Sequence, residues 1–353
     1  MKKTLLLKVD SQNPEKEKIQ KAADFIKKGG LVAFPTETVY GLGANALNSQ
    51  AVLALFEAKK RPLDNPPIVH VGDISDVHRL VKKTTSKAEK LVKNFWPGPL
   101  TLIFKRSAIV PDVTVAGLNT IAIRMPNHNV ALALLRESRC PIAAPSANLA
   151  GKPSPTTAKH VLDDLDGRID AVLDAGPTPI GVESTVLDLT IMPPQILRPG
   201  GISYEKLKEI LEDVRLHPIA VAEKEVPIER ARSPGVKHKH YAPNAEVVLV
   251  EGEISLVKEK VKELAESYRR EGKKVGVLAT DETADYYRAD VVKSLGSRND
   301  LAIVAKNLFR LLREFDSEKV DVIVAEGVAT AGLGLAVMNR LRKAAGYKIV
   351  KAD

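Results

Sequence analysis

From Ala245 onwards the chain alternates short apolar runs with amphipathic stretches, and that rhythm permits few folds. Val247–Val250, Val275–Ala279, Val291–Leu295 and Val320–Ala325 are strand-length runs rich in β-branched residues. Between them, Ser255–Arg270, a short stretch near Asp281–Tyr287, and Asp300–Phe315 carry helical periodicity. In the last of these Ile303, Val304, Leu308, Leu311 and Leu312 are expected to face inward. Gly334–Ala345 adds a final helix and Lys348–Val350 an edge strand. Strands alternating with helices in this order build a small doubly wound parallel sheet. Gly332-Leu333-Gly334 is not a dinucleotide fingerprint, because Val337 fills the third glycine position and no paired acid follows within reach.

The first half is less regular. Asn13-Pro14-Glu15 has the makings of a helix start, and Ile19, Ala22, Ala23 and Ile26 form one apolar stripe that Gly29-Gly30 ends. A helix over about Gln50–Lys59 points Val52, Leu55 and Phe56 inward and delivers Lys59 and Arg61 near its C-terminal end. Trp96-Pro97-Gly98-Pro99 is a rigid turn before a strand at Leu100–Phe104; Thr120–Arg124 is another strand, followed by a helix over about Asn129–Arg136. Short turns join some of these strands and helices join others, so this sheet should be mixed. With 353 residues the chain fits two domains. The expected division is 1–214, a linker 215–244, and 245–353.

Composition narrows the function classes. A single cysteine, Cys140, excludes an internal disulfide and a multi-cysteine zinc site, and its apolar neighbours suggest a buried small residue. No stretch approaches the ~20 apolar residues of a membrane helix, and Leu5-Leu6-Leu7 is too short for a signal-peptide core. A soluble, cytoplasmic protein is the expectation. The formal charge of +9 suits anionic partners, or simply a lysine-rich solvated surface. Walker, kinase and Gly-x-Ser-x-Gly motifs are lacking. His238 and His240, with one residue between them, make a poor zinc site.

Four polar segments carry the chemistry. The apolar run Leu31–Phe34 opens into Pro35-Thr36-Glu37-Thr38-Val39-Tyr40-Gly41-Leu42-Gly43. Strand ends of this kind are where open α/β sheets place ligands. Lys59-Lys60-Arg61 leads to Asn65 and then His70; Ala143-Ala144-Pro145-Ser146-Ala147-Asn148 repeats the strand-to-polar-turn pattern; and Gly181-Val182-Glu183-Ser184-Thr185-Val186 is echoed by Ile196-Leu197-Arg198-Pro199-Gly200-Gly201. In this order the segments resemble the threonylcarbamoyl-AMP synthases, the YrdC-like family that begins threonylcarbamoyladenosine modification of tRNA. The two-domain layout and Ser233–Pro243 are similar to that family's long form, in which a linker joins the catalytic domain to a Rossmann-like C-terminal domain.

The resemblance implies condensation of L-threonine, bicarbonate and ATP to threonylcarbamoyl-AMP and pyrophosphate. It places Thr38, His70, Arg124, Ala144 and Ser184 at threonine-contacting positions. Lys59, Arg61, Asn65, Thr120, Ser146, Asn148, Ser154, Arg198 and, from the linker, Tyr241 fall at nucleotide positions. Lys59, Arg61, Arg124 and Ser184 would position the reactants, and no single catalytic group stands out. Arg124 is apt for a carboxylate because its guanidinium forms two parallel hydrogen bonds. Lys60 stands where a glycine is common, which alters the local turn. Magnesium is implied, held by the phosphates rather than by side chains. The implied partners are a downstream threonylcarbamoyl transferase complex and tRNA. The linker, with its rings and lysines between prolines, is expected to act as a lid, Tyr241 closing over the nucleotide. Two other readings compete: an RNA-binding module with a protein-docking C-terminal domain, which the aromatic content of only 4% disfavours, and an amidohydrolase-like or carbamoyl-phosphate-using enzyme, which lacks its metal cluster or nucleophile.

Overall fold

A computed structural model of the protein describes residues 3–226 and 240–352. These fall into two compact units, one of residues 3–150 and 154–220, the other of 151–153, 221–226 and 240–352. The first unit contains strands β1 (Leu5–Lys8), β2 (Val32–Phe34), β3 (Gly41–Asn45), β4 (Val69–His70), β5 (Leu100–Lys105), β6 (Thr120–Arg124), β7 (Ile142–Ala143), β8 (Ala171–Asp174), β9 (Thr185–Asp188), β10 (Gln195–Arg198) and β11 (Arg215–Leu216). They form one sheet in the order β1-β8-β2-β3-β7-β4-β6-β5-β9-β10-β11. Its pairings are mixed, as the connections require: β4 runs parallel to β6, for example, while β3 and β4 each run antiparallel to β7.

Side-chain alternation covers both faces of this sheet. Val32 and Phe34 pack with Ile19, Ala22, Ala23 and Ile26 of helix Lys16–Lys27, whereas Ala33, Leu42 and Ala44 pack with Ala51 and Leu55 of helix Ser49–Ala58. Asn48 starts the second of these helices by accepting from the Gln50 and Ala51 amides at 3.0 and 3.2 Å. The first begins two residues later than its Asn-Pro pair suggests. Asp10 Oδ1 accepts from the Gln12 and Asn13 amides at 2.8 and 2.7 Å, which holds that stretch in a turn and leaves Glu15 as the last extended residue. Residues 215–216 are not linker either, since β11 pairs with β10.

In the second unit β12 (Glu246–Gly252), β13 (Val275–Ala279), β14 (Val291–Ser294), β15 (Val322–Glu326) and β16 (Ile349–Ala352) make an all-parallel sheet in the order β14-β13-β15-β12-β16. The connection near 281–287 is a 3-10 turn, Ala284–Tyr286, rather than an α-helix. In helix Leu301–Glu318 the buried face is Val304, Ala305, Leu308, Phe309, Leu311, Leu312 and Phe315. Ile303 lies one position off that stripe and is 41% exposed, contrary to the inward placement read from the sequence. Glu326 ends β15 fully buried. Its carboxylate accepts from the Thr280 amide and hydroxyl at 2.9 and 3.0 Å, from Thr283 at 2.8 Å, and from the Tyr287 hydroxyl, with Arg298 at 3.8 Å. Among the described residues no helix is long and apolar enough to cross a membrane.

Gly43 is the tightest point between β2, β3 and β7: a Cβ there would stand 2.8 Å from Ile142 Cγ2 and 2.9 Å from Phe34 Cε1. Gly43→Ala should therefore cost about 1–3 kcal/mol by overpacking. Trp96, the single tryptophan, is buried in the first unit and makes its fluorescence the readout, so the variant's urea midpoint should fall below that of the wild type.

Candidate active site

The sheet order brings separate polar segments to one place. Parallel pairing of β4 with β6 sets His70 beside Arg124, and the antiparallel bridge of β4 with β7 sets His70 opposite Ile142, two residues before Ala144. Ala144 is buried, its amide donating to the Ile68 carbonyl at 2.8 Å. The turn after β2 is shaped by Thr36, whose hydroxyl donates to the Val39 carbonyl at 2.7 Å and lies 2.8 Å from Thr38 Oγ1. The carbonyls of Glu37 and Thr38 accept from the amides of Ile180 and Gly181, each at 3.0 Å, which lays the 180–185 segment alongside this turn.

Arg124 is the centre of the arrangement and is 3% exposed. Its Nη1 donates to Thr38 Oγ1 at 3.0 Å and its Nε to the Gly98 carbonyl at 3.2 Å, while Nη2 lies 2.6 Å from Glu37 Oε2. A guanidinium keeps its charge at any accessible pH, so burial demands such acceptors. His70 beside it is 3% exposed, and its pKa is lowered to about 3, first by burial and then by the Arg124 charge. The imidazole is therefore neutral at working pH, its Nδ1 3.3 Å from the Ile68 carbonyl. Ser184 is fully buried; its hydroxyl lies 2.8 Å from Thr101 Oγ1 and accepts from Arg198 Nη2 at 3.1 Å. Arg198 also donates through Nε and Nη2 to the Ser184 carbonyl, at 3.1 and 2.9 Å.

The residues expected at the nucleotide are spread more widely. Lys59 is 1% exposed and its ammonium donates to the carbonyls of Ser146, at 2.5 Å, and Asn148. It ties the end of helix Ser49–Ala58 to the Ser146–Asn148 turn. Lys60 has φ +50°, a left-handed conformation carried here by a non-glycine residue. Arg61 is half-buried and donates to the Asn65 carbonyl at 2.9 Å. Asn65 is itself 1% exposed, and its Oδ1 is a buried acceptor with no hydrogen-bond partner among the described residues. Ser154 donates to Glu183 Oε1 at 2.6 Å, next to Ser184. Thr120 stands apart, at the start of β6 and so roughly 13 Å along the strand from Arg124. Tyr241 lies in the second unit, 4% exposed with φ +66°, its ring stacked on Phe309 at 5.2 Å and with the Arg340 guanidinium 5.5 Å from its centre. The lid segment Ser233–Pro243 falls largely outside the described residues, His238 included.

Sequence reasoning passed over Glu37, Thr101 and Gly98 as site groups. Glu37 had a visible signal, a carboxylate set between two threonines; Gly98 contributes only a carbonyl and had none. Gly200 is a different case, since a Cβ there would meet the Glu183 carbonyl oxygen at 2.3 Å and the Ser184 carbonyl carbon at 2.4 Å. Only glycine lets the Pro199–Gly201 turn lie flat on the Glu183–Ser184 backbone. Cys140 is half-buried, with its thiol pushed up to about 11 by burial, which is not the state of a nucleophile. Among the described residues no three His, Cys, Asp or Glu side chains converge as a metal site.

The neutral His70 carries a pH signature. Its folded pKa lies below the ordinary 6.5, so its contribution to stability is complete above about pH 6.5 and is lost as pH falls towards 3. Between pH 7.5 and 5.0 that loss should be about 2 kcal/mol. Urea titrations at the two pH values should show His70→Gln losing less stability on acidification than the wild type.

The chain resembles known proteins. The Sua5_yciO_yrdC family, described as "Telomere recombination", matches residues 24–200, and "Threonylcarbamoyl-AMP synthase, C-terminal domain" matches residues 202–346. The chain is 52% identical to a threonylcarbamoyl-AMP synthase of Pyrococcus abyssi, over 96% of both chains, and 51% identical to one of Bacillus subtilis, over 97% of both. The crystal structure of P. abyssi Sua5 complexed with L-threonine matches with a TM-score of 0.94 at 50% identity, covering 99% of this chain and 100% of that one. Escherichia coli YciO matches 57% of this chain, with a TM-score of 0.51 at 26% identity. Both sheets are thus shared with the P. abyssi structure along its whole length, and the chain belongs to the threonylcarbamoyl-AMP synthase family.

Proposed function

We propose that this chain condenses L-threonine, bicarbonate and ATP into L-threonylcarbamoyl-AMP and pyrophosphate, with the buried Arg124 as the receptor for the threonine carboxylate. The observation that supports this most is the pairing of a fixed guanidinium with a neutral histidine and a threonine hydroxyl in one buried cluster. Arg124 takes the carboxylate, and Thr38, His70 and Ser184 offer uncharged donors and acceptors to the rest of the amino acid. Ala144 adds backbone only. Such a site works by holding an amine, a carbonate and an α-phosphorus in line, not by a strong nucleophile. Discrimination between threonine and serine rests on one methyl group, which is worth only ~1–3 kcal/mol.

On the nucleotide side Arg61 offers the less enclosed cation, Asn65 Oδ1 a buried acceptor for a base N–H, and Ser146, Asn148 and Ser154 short polar groups. Lys59 and Arg198 act chiefly by fixing the Ser146–Asn148 turn and Ser184, with Thr120 and Tyr241 as outlying nucleotide contacts. The donor set here is hydroxyls, carbonyls and cations, and Glu183 is engaged by Ser154. It therefore suits a magnesium ion carried in on the triphosphate better than one held by side chains. When bound, that ion neutralises charge on the leaving pyrophosphate. The protein's own share is to align the phosphates and, through the 233–243 segment, to exclude water from the mixed anhydride. We place the reaction in the cytoplasm, at the head of tRNA modification, with its product passed to a threonylcarbamoyl transferase and with contact to tRNA. The RNA-module reading is not favoured, because the polar residues are buried among strands rather than displayed beside exposed aromatic rings.

The test is pyrophosphate release with chromatographic detection of threonylcarbamoyl-AMP, which should require threonine, bicarbonate and ATP together. Arg124→Ala should abolish product formation while ATP affinity stays within a few-fold of wild type. Collapse of ATP affinity with threonine binding intact would reverse the two subsites. Arg61→Ala should weaken ATP roughly 10- to 100-fold, the scale of one charge-assisted contact. Tyr241→Ala should lower the rate without changing threonine affinity.

A further inference from the structure

Glu37 is not among the residues that the family resemblance assigns, yet its carboxylate is the anion nearest the proposed threonine receptor. It is 6% exposed, its Oε2 lies 2.6 Å from Arg124 Nη2, and its backbone is pinned by the Ile180 amide. We infer that Glu37 receives the substrate's α-ammonium, so that Glu37 and Arg124 together select an α-amino acid zwitterion; this rests on the reading of Arg124 as carboxylate receptor given above.

The reasoning is one of charge in a buried place. Alone, the pair sums to zero, which is how two such groups can be buried side by side. A substrate carboxylate arriving at Arg124 sets a second anion against one cation. His70 is neutral and does not compensate it. The site returns to neutrality only if the ligand carries a positive charge of its own, one carbon away from its carboxylate, as an α-amino acid does. Glu37 also has the open valence for that charge. Both its carboxylate oxygens are buried without a hydrogen bond among the described residues, Oε2 having only its ion-pair contact with Arg124 Nη2, and such atoms are costly unless a donor reaches them. Glu37, Arg124, the ligand carboxylate and the ligand ammonium then alternate in sign. A hydroxy acid would leave the site with an excess negative charge, and an amine without a carboxylate with an excess positive one.

Calorimetric titration of the full-length protein tests this with two ligands: L-threonine, and the hydroxy acid in which a hydroxyl replaces its α-ammonium. The wild type should bind threonine at least roughly 10-fold more tightly than the hydroxy acid. Glu37→Gln, which keeps the shape and removes the charge, should weaken threonine roughly 10- to 100-fold and erase that preference. Glu37→Asp should restore part of it. Equal binding of the two ligands by the wild type overturns the inference without any variant, so a misfolded Glu37→Gln does not shelter it. Unchanged threonine affinity in a folded Glu37→Gln overturns it as well. Arg124→Ala separates the two levels: if it leaves threonine binding intact, the carboxylate assignment itself has failed. If it abolishes threonine binding while Glu37→Gln does not, only the role of Glu37 falls.

Discussion

Arg124 sits on an interior strand with a charge it cannot shed, and the surrounding chain is arranged to tolerate it. Its three nitrogens are met by groups from separate stretches: Thr38 and Glu37 from the turn after β2, and the Gly98 carbonyl from the turn before β5. Those turns are themselves anchored, the first by Thr36 and by the Ile180 and Gly181 amides, the second by the Gly98 amide on Met125 and the Thr185 amide on Pro99. One buried cation thus links segments that span about 150 residues of sequence and fixes where β9, and with it Ser184, lies. The free energy of any one of these contacts is modest, roughly 1–3 kcal/mol. Losing one would leave a buried charge partly uncompensated, which is worse than losing an ordinary hydrogen bond.

Lys59 shows the same logic turned to a different end. In the sequence it belongs to a basic run, and a basic run suggests phosphates. In the fold its ammonium is spent on the Ser146 and Asn148 carbonyls, and the Ala150 amide in turn donates to the Lys59 carbonyl. What it does in the fold is hold the Ser146–Asn148 turn in place. Arg61, two residues on and half-buried, is the member of the pair left nearer to solvent.

What could be read in the sequence followed from periodicity and from the order of short polar segments. The alternation after Ala245 gave the second sheet, and the run-outs after Phe34, Ala143 and Arg198 marked the strand ends that gather polar groups. What could not be read depended on distance in space. Ile303 looks as apolar as Val304, and only the angular position of the helix on its sheet separates them. Asn13-Pro14 has the composition of a helix start but is claimed by the Asp10 carboxylate. Thr120 and Arg124 share a strand and a face, yet a five-residue strand sets its two ends far apart. Tyr241 is conspicuous in the sequence as a ring in a basic segment, and nothing local says that Phe309 and Arg340 will pack against it.

The second unit has its own buried carboxylate, and its surroundings bear on what that sheet is for. Glu326 ends β15 beside the end of β13, and the chain leaves these two adjacent strands in opposite directions. In doubly wound sheets that crevice is where a nucleotide usually docks. Here the donors that would greet a phosphate or a ribose, namely the Thr280 amide, two threonine hydroxyls and a tyrosine hydroxyl, already converge on the protein's own side chain. The fold has in effect supplied its own ligand. A second nucleotide at this edge would first have to evict a buried anion from its full set of donors, so the domain is better suited to holding a shape than to housing a cofactor.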